Sequence, residues 1–451
     1  MRLGLYRLLT TLALPLIAYS GWKRCKKHQS QRQILPDLPK IPHCFASRFG
    51  RNPTQFKKQG IWIHAVSVGE TRSIFPLLIN LKKKYPTTPI TLTNSSTQGA
   101  IQALQFSPVD IQHQMIPYDF PFAIHRFLDQ IEPKLVIMIE TEIWPNCYQA
   151  CSKRDIPIIL ANARLKEQSF TTYQKWGGKM MTDALNQTAF IGAQSQTDAA
   201  YFLALGVHKD KVKTLGNLKF DMQIDAELDA LVAQWKTDNQ LNNRFTWVAA
   251  STHADPHGKT GKLGKANNPS NESEESLLLQ AHKTLLKTQP DALLILTPRH
   301  AKRFDEVAGL LKSSGLNWIK RSENKTITSQ TQVYLANSMG EMMLWFGSCN
   351  VAFIGGSLVP FGGHNILEPA ALKKPVLSGP HYANLKALYE PFIEQGAVTL
   401  VADSHSLAKT LAELADSNQY QEELGLKAFQ CYQKQSGALD KLMHEIKPFL
   451  N

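Results

Sequence analysis

Residues 353–380 read FIGGSLVPFGGHNILEPAALKKPVLSGP. The segment continues an apolar strand that opens at Val351, breaks at Gly355-Gly356, turns again at Gly362-Gly363, and then presents His364, Asn365 and Glu368 before a short helix. Glycine at such breaks lets backbone N–H groups come close to a ligand, and a helix N-terminus favours a phosphate. Asn365 and Glu368, three residues apart, share a helical face and are placed to grip a ribose or a base. Strand, glycine turn and helix in that order form a nucleotide site at the carboxyl end of a parallel sheet.

The same order recurs on both sides of this segment. Upstream, Phe245–Ala250 runs into Ser251-Thr252-His253, Ala292–Leu296 into Thr297-Pro298-Arg299-His300, and Val333–Leu335 into Asn337–Glu341. Nearer the N-terminus, Ile61–Val66 leads to Ser67-Val68-Gly69-Glu70, Leu135–Ile139 to Glu140-Thr141-Glu142, and Val212–Leu215 to Gly216–Asp221. Ile90–Thr93, Ile156–Leu160 and Phe190–Ala193 complete that first set. Continuous apolar runs followed by polar turns and helices are what a parallel sheet covered on both faces requires. Two such sets predict two doubly wound α/β domains, 45–224 and 225–451, with the helical stretch Asp225–Asn243 as the hinge. Residues 29–58 read as a polar linker, and 254–276, rich in Gly, Lys, Asn, Ser and Glu, as a mobile surface insertion.

Composition agrees with that architecture. The 451 residues, 43% hydrophobic and 19% charged, suffice for two α/β domains and exclude a disordered or fibrous chain. A net charge of +13 draws the surface toward polyanions. No aromatic platform is interleaved with the basic residues, so nucleic acid is not the expected partner. The six cysteines form no C-x-x-C pair, which argues against a disulfide framework or a zinc site and suits a reducing compartment. Residues 1–22 carry an apolar segment, Leu3–Trp22, followed by Lys23, Arg24, Lys26 and Lys27. It reads as an uncleaved N-terminal membrane anchor with the rest of the chain cytoplasmic. A signal peptide cleaved near Ala18-Tyr19-Ser20 and a buried amphipathic helix are the alternatives.

Three polar residues stand where chemistry is expected. Glu70 lies at a strand-to-helix junction, where the helix dipole favours a carboxylate. It is a candidate general base or a first-turn charge at a helix start. Glu140 is a second acidic residue at a strand's carboxyl end, and Lys219 follows a glycine turn at another. Arg299 offers a fork for a phosphate. No G-x-G-x-x-G follows the first strand of either half. No G-x-x-x-x-G-K-[ST], H-E-x-x-H or compact D-x-D pair occurs, so NAD, P-loop and metal-assisted readings lose their main support. Two doubly wound domains facing a cleft suggest a sugar-nucleotide transferase of the GT-B type.

The motifs WIHAVSVGE (62–70), ETEIWPN (140–146), GNLKFD (216–221), TPRH (297–300), MGEM (339–342) and GGHNILEPA (362–370) resemble those of the 3-deoxy-D-manno-octulosonic acid (Kdo) transferases of lipopolysaccharide synthesis. The resemblance runs in the same order over nearly the whole chain. It implies transfer of Kdo from CMP-Kdo to the lipid A precursor lipid IVA at the cytoplasmic face of the inner membrane, with no resident cofactor and no metal. It implies Glu70 as catalytic base and Glu140 and Lys219 as its supporting carboxylate and lysine. CMP contacts are implied at Pro298 and Arg299, at Met339, Gly340 and Glu341, and at Asn365, Ile366, Leu367 and Glu368. One departure is the insertion that separates Ser251-Thr252-His253 from Glu274 and Glu275, which leaves those residues outside the expected site. A nucleotide-sugar epimerase would need neither the anchor nor Glu70. A tethered nucleotide-binding protein would bind without depending on Glu70.

Overall fold

A computed structural model describes residues 1–222, 224–254 and 273–450. The chain divides into two compact units, Met1–Asp221 with Gln435–Asn451, and Met222–Lys434.

The first unit is built on seven parallel strands: β1 (Ile61–His64), β2 (Ile90–Asn94), β3 (Gln112–Met115), β4 (Leu135–Ile139), β5 (Ile158–Ala163), β6 (Phe190–Ala193) and β7 (Val212–Thr214). Their order is β3-β2-β1-β4-β5-β6-β7. Successive residues of a strand point to opposite faces, and both faces here are covered. Trp62, Val136, Met138, Ile158 and Leu160 pack with Phe127, Tyr148 and Phe202 on one side. Ile61, Ile63, Leu135, Ile137 and Ile139 pack with Leu77, Leu78 and Leu81 on the other, three residues that share one face of the helix Phe75–Lys84.

The second unit repeats the plan with β8 (Thr246–Thr252), β9 (Leu293–Pro298), β10 (Trp318–Lys320), β11 (Val333–Leu335), β12 (Val351–Ile354), β13 (Val376–Ser378) and β14 (Thr399–Leu400). Its strand order is β10-β11-β9-β8-β12-β13-β14, again parallel throughout. Trp247, Leu294, Leu296, Val351 and Phe353 form its centre. In each sheet the strand order reverses beside the first strand, between β1 and β4 and between β8 and β12. Loops leaving the carboxyl ends there diverge to opposite faces, which opens a crevice for a ligand.

Four expectations need correction. The C-terminal residues Gln435–Asn451 belong to the first unit, not the second. Leu439, Leu442, Met443 and Ile446 join the Leu77–Leu81 cluster, and Asp221 accepts the backbone N–H groups of Gly437 and, at 2.6 Å, Leu439. The stretch 29–58 is not a free linker: Ile41, Cys44, Ser47, Arg48 and Phe56 are buried. Cys25 and Cys44 form a disulfide, because the chain after the helix Leu14–Ile34 folds back on it and brings the two residues to a Cα separation of 5.9 Å. Finally, of the expected insertion 254–276, residues 255–272 lie outside the described residues, and its last three form the start of a helix, Glu274–Leu285, capped by Ser273.

The apolar N-terminal segment is two helices, Leu3–Leu12 and Leu14–Ile34, bent by 60° at the break. Among the described residues no single helix is long and apolar enough to cross a membrane, while this bent pair passes that test together.

Candidate active site

The loop after β1 turns at Ser67, the N-cap of the helix Val68–Ser73, whose hydroxyl accepts the Glu70 N–H at 3.3 Å. The Glu70 carboxylate reaches back, accepting the Val66 N–H at 2.7 Å and the Ser67 hydroxyl at 2.9 Å. This is a reciprocal cap, so the helix-start role expected as an alternative is real. It also fixes the carboxylate at the edge of the sheet, half-buried. Burial raises the Glu70 pKa, its two hydrogen bonds pull it down, and repulsion from Glu140 and Glu142 raises it again. A carboxylate lifted toward the working pH is a better proton acceptor than one left at its ordinary value.

Glu140 follows β4 with φ of +61°, in the left-handed region, where a non-glycine residue costs on the order of 1–3 kcal/mol. That turn re-aims the side chain, and Lys219 Nζ lies 3.1 Å from Glu140 Oε1. The lysine loop is held from β5: Asn162, also left-handed at +51°, accepts the Leu218 N–H through its side-chain oxygen at 3.0 Å. The structure therefore brings Glu140 and Lys219 together, and Glu140 is among the charges acting on Glu70. A further carboxylate belongs with them. Glu142 accepts the Trp144 indole N–H at 2.8 Å and lies 3.5 Å from His64 Nε2. The E-T-E spacing of its motif was the available signal.

In the second unit Arg299 is exposed just past β9, with its N–H donated to Thr252 O at 3.1 Å. Met339 is 66% exposed and Gly340 is left-handed at +89°. Glu341 is gripped by Arg321, at 3.1 Å from Nη2, and by the Ser338 hydroxyl. Asn365 is exposed and its side-chain oxygen accepts the Leu367 N–H at 3.2 Å. Pro298, Ile366 and Leu367 are buried, which leaves the main chain rather than their side chains for contact with a ligand. Glu368 is half-buried at the start of the short helix Leu367–Ala371.

Glu274 and His253, placed outside the expected site, brace the glycine turn and His364 next to it. The buried Glu274 carboxylate accepts four backbone N–H groups, from Gly356 at 2.7 Å, Ser357 at 3.0 Å, Leu358 at 3.0 Å and His253 at 3.1 Å. Burial pushes its pKa up to about 7 against the pull of those donors. Its own N–H donates to His253 O at 3.2 Å, so the acidic helix joins the Ser-Thr-His turn in space as directly as if nothing intervened. Next to it, Glu275 takes a two-pronged bond from Arg303, at 2.6 and 3.0 Å, and the Thr252 hydroxyl at 2.7 Å. His253 and His364 share a hydrogen bond between their Nε2 atoms at 2.7 Å, and Phe361 stacks on His253. Burial, with help from surrounding cations, lowers these imidazoles to about 3 and about 4, so one neutral ring donates and the other accepts. Among the described residues no group of three His, Cys, Asp or Glu side chains is placed to hold a metal ion.

A family model for 3-deoxy-D-manno-octulosonic-acid transferase matches residues 43–222. The 3-deoxy-D-manno-octulosonic acid transferase of Haemophilus influenzae is 36% identical over 419 residues, 91% of this chain and 92% of that one. The chain belongs to the Kdo transferase family. It is a glycosyltransferase. A Bordetella pertussis protein of the same description is 29% identical over 89% of this chain and 89% of its own. Among solved structures, the C-terminal CMP-Kdo binding domain of WaaA from Acinetobacter baumannii is 34% identical, spanning 46% of this chain and 100% of that one, with a TM-score of 0.41. UDP-GlcNAc 2-epimerase from Neisseria meningitidis covers 86% of this chain and 100% of that one at a TM-score of 0.53; its 14% identity is a likeness of fold. The motifs that carry family membership lie at or just beyond the carboxyl ends of strands in both sheets, and Glu142, Glu274 and Arg321 bond to residues in or beside them.

Proposed function

We propose that this Kdo transferase transfers Kdo from CMP-Kdo to lipid IVA by a single inverting displacement at the cytoplasmic face of the inner membrane. Glu70 takes the proton from an acceptor sugar hydroxyl. That oxygen bonds to the anomeric carbon while the bond from that carbon to the CMP phosphate oxygen breaks, and CMP leaves with the electron pair. Arg299 and the main-chain amides of the glycine turns neutralise the departing phosphate, the task a metal would otherwise perform. Glu140 orients Lys219, whose ammonium offsets negative charge on the Kdo carboxylate or phosphate. Met339-Gly340-Glu341 and Asn365 through Glu368 hold the nucleotide. A membrane anchor in residues 1–22 keeps the enzyme on the leaflet that carries the acceptor.

One observation carries the reading: Glu70 is fixed at the carboxyl edge of β1 with its pKa raised, beside the carboxylates Glu140 and Glu142. The test is transfer of labelled Kdo from freshly generated CMP-Kdo to lipid IVA by the full chain in membranes, read by product mass. A Kdo-bearing product supports the reading. CMP binding with no transfer to lipid IVA moves the acceptor assignment, or the transferase mechanism itself, elsewhere.

A further inference from the structure

The N-terminal helices present two unlike faces. Leu5, Leu8, Leu9 and Leu12, then Leu16, Tyr19 and Trp22, are exposed, Leu12 at 71% and Leu16 at 75%. Their spacing makes an apolar stripe on each helix. The other face is polar and is spent inside the first unit. Tyr6 donates its hydroxyl to Asp119 Oδ2 at 3.0 Å, and Arg7 donates to the side-chain oxygens of Asn146 and Gln149, each at 2.7 Å. Asp119 is buried and accepts the first N–H groups of the helix Pro145–Ser152, from Asn146 at 3.0 Å and Cys147 at 2.8 Å. Further along, Tyr118 donates to Ile17 O at 3.4 Å, and Gly21 is buried under the same phenol.

A segment crossing a bilayer would have to withdraw Tyr6 and Arg7 from these partners. It would leave Asp119 short of a donor and carry the Arg7 guanidinium into hydrocarbon. Lying flat costs neither contact. Directly after the stripe, Lys23, Arg24, Lys26 and Lys27 are all exposed, with Lys26 Nζ 4.9 Å from the centre of the Trp22 ring. At the chain start, the Met1 amino group donates to Trp176 O at 3.2 Å, and Trp176 is 67% exposed in a segment that also exposes Lys175 and Lys179. Aliphatic residues flanked by aromatic rings and cations are the composition that an anionic headgroup layer takes up.

We propose that residues 3–22 bind an anionic bilayer surface as two in-plane helices, with the leucine stripe among the acyl chains and the polar face bonded to the first unit. This rests on the membrane reading above and specifies how the leaflet is held. Two experiments on the full chain test it. In the first, purified protein is mixed with preformed vesicles of phosphatidylethanolamine, with or without phosphatidylglycerol. Binding to the anionic vesicles should fall as salt rises. It should drop roughly tenfold or more when Leu8→Glu, Leu12→Glu and Leu16→Glu are combined. Transfer by that variant in detergent should match wild type. In the second, an epitope placed before Met1 should be cut by protease in inside-out membrane vesicles and protected in intact spheroplasts. An epitope cut in intact spheroplasts overturns the in-plane arrangement while the membrane reading stands. Absence of binding to either vesicle overturns both.

Discussion

Both sheets are seven-stranded, parallel and reversed beside their first strand, yet they use the carboxylates at those reversal points in opposite ways. At the end of β1, Glu70 accepts only two hydrogen bonds, is half-buried and feels two other carboxylates. After β8, Glu274 is fully buried and saturated by four backbone amides. One carboxylate keeps access and spare hydrogen-bonding capacity. The other spends its capacity on shaping a glycine turn whose remaining surface is left to amides and to cations such as Arg299. The division of roles proposed above follows that difference in donors and not the parallel fold the units have in common.

Four experiments would break or sharpen that contrast. The largest effect is expected from Glu70→Ala, which should lower the transfer rate about a hundredfold to ten-thousandfold and leave CMP affinity unchanged. Glu274→Ala should do the reverse of a clean catalytic loss. It strands four buried N–H groups, each worth about 1–3 kcal/mol, so chemical unfolding should show a loss of several kcal/mol and CMP binding should weaken with it. On the proposed phosphate role, Arg299→Ala should weaken CMP binding roughly ten- to a hundredfold, the loss of a charge-assisted hydrogen bond of about 1.5–3 kcal/mol, without altering unfolding. The smallest effect concerns the Lys219–Glu140 pair, whose lysine is 42% exposed. A double-mutant cycle on stability should return under about 1 kcal/mol, whereas each single change should cut transfer.

The contrast extends to pH. His253 and His364 are neutral in the folded chain down to about 3 and about 4, below the ordinary imidazole value. An unfolded chain therefore takes up these protons first, so their contribution is complete above about pH 6.5 and is lost as the pH falls through the folded values. Glu70 has the opposite sign. Its raised pKa favours the protonated folded form, a contribution present at low pH and lost as the pH rises. Thermal unfolding between about pH 7 and about pH 4.5 should show acid sensitivity that His253→Asn with His364→Asn reduces and Glu70→Gln does not, the buried His113 and His282 supplying a remainder of the same sign.

Much of this was legible in the sequence for physical reasons. Continuous apolar runs ending in Gly355-Gly356, Gly216 or Ser67-Val68-Gly69 announce buried parallel strands and their ligand-facing ends, because few other structures tolerate that order. Glu70, Glu140 and Lys219 stand out as candidates because they lie within a few residues of the ends of such runs. Glu274 was missed because residues 255–272 separate it from the turn it completes, and sequence distance hides that contact. The return of residues 435–451 was hidden for another reason. The stripe of Leu439, Leu442, Met443 and Ile446 says that a helix is amphipathic, not which sheet it covers. The pairing of Cys25 with Cys44 depended on a fold-back that polar, proline-bearing sequence does not encode.

The central claim is that proton transfer belongs to the first unit and nucleotide binding to the second. Single-turnover transfer and CMP affinity measured side by side on Glu70→Gln test it most directly. The account predicts a folded protein with wild-type CMP affinity and transfer reduced at least about a hundredfold. Undiminished transfer, or loss of CMP affinity in step with transfer, would contradict it.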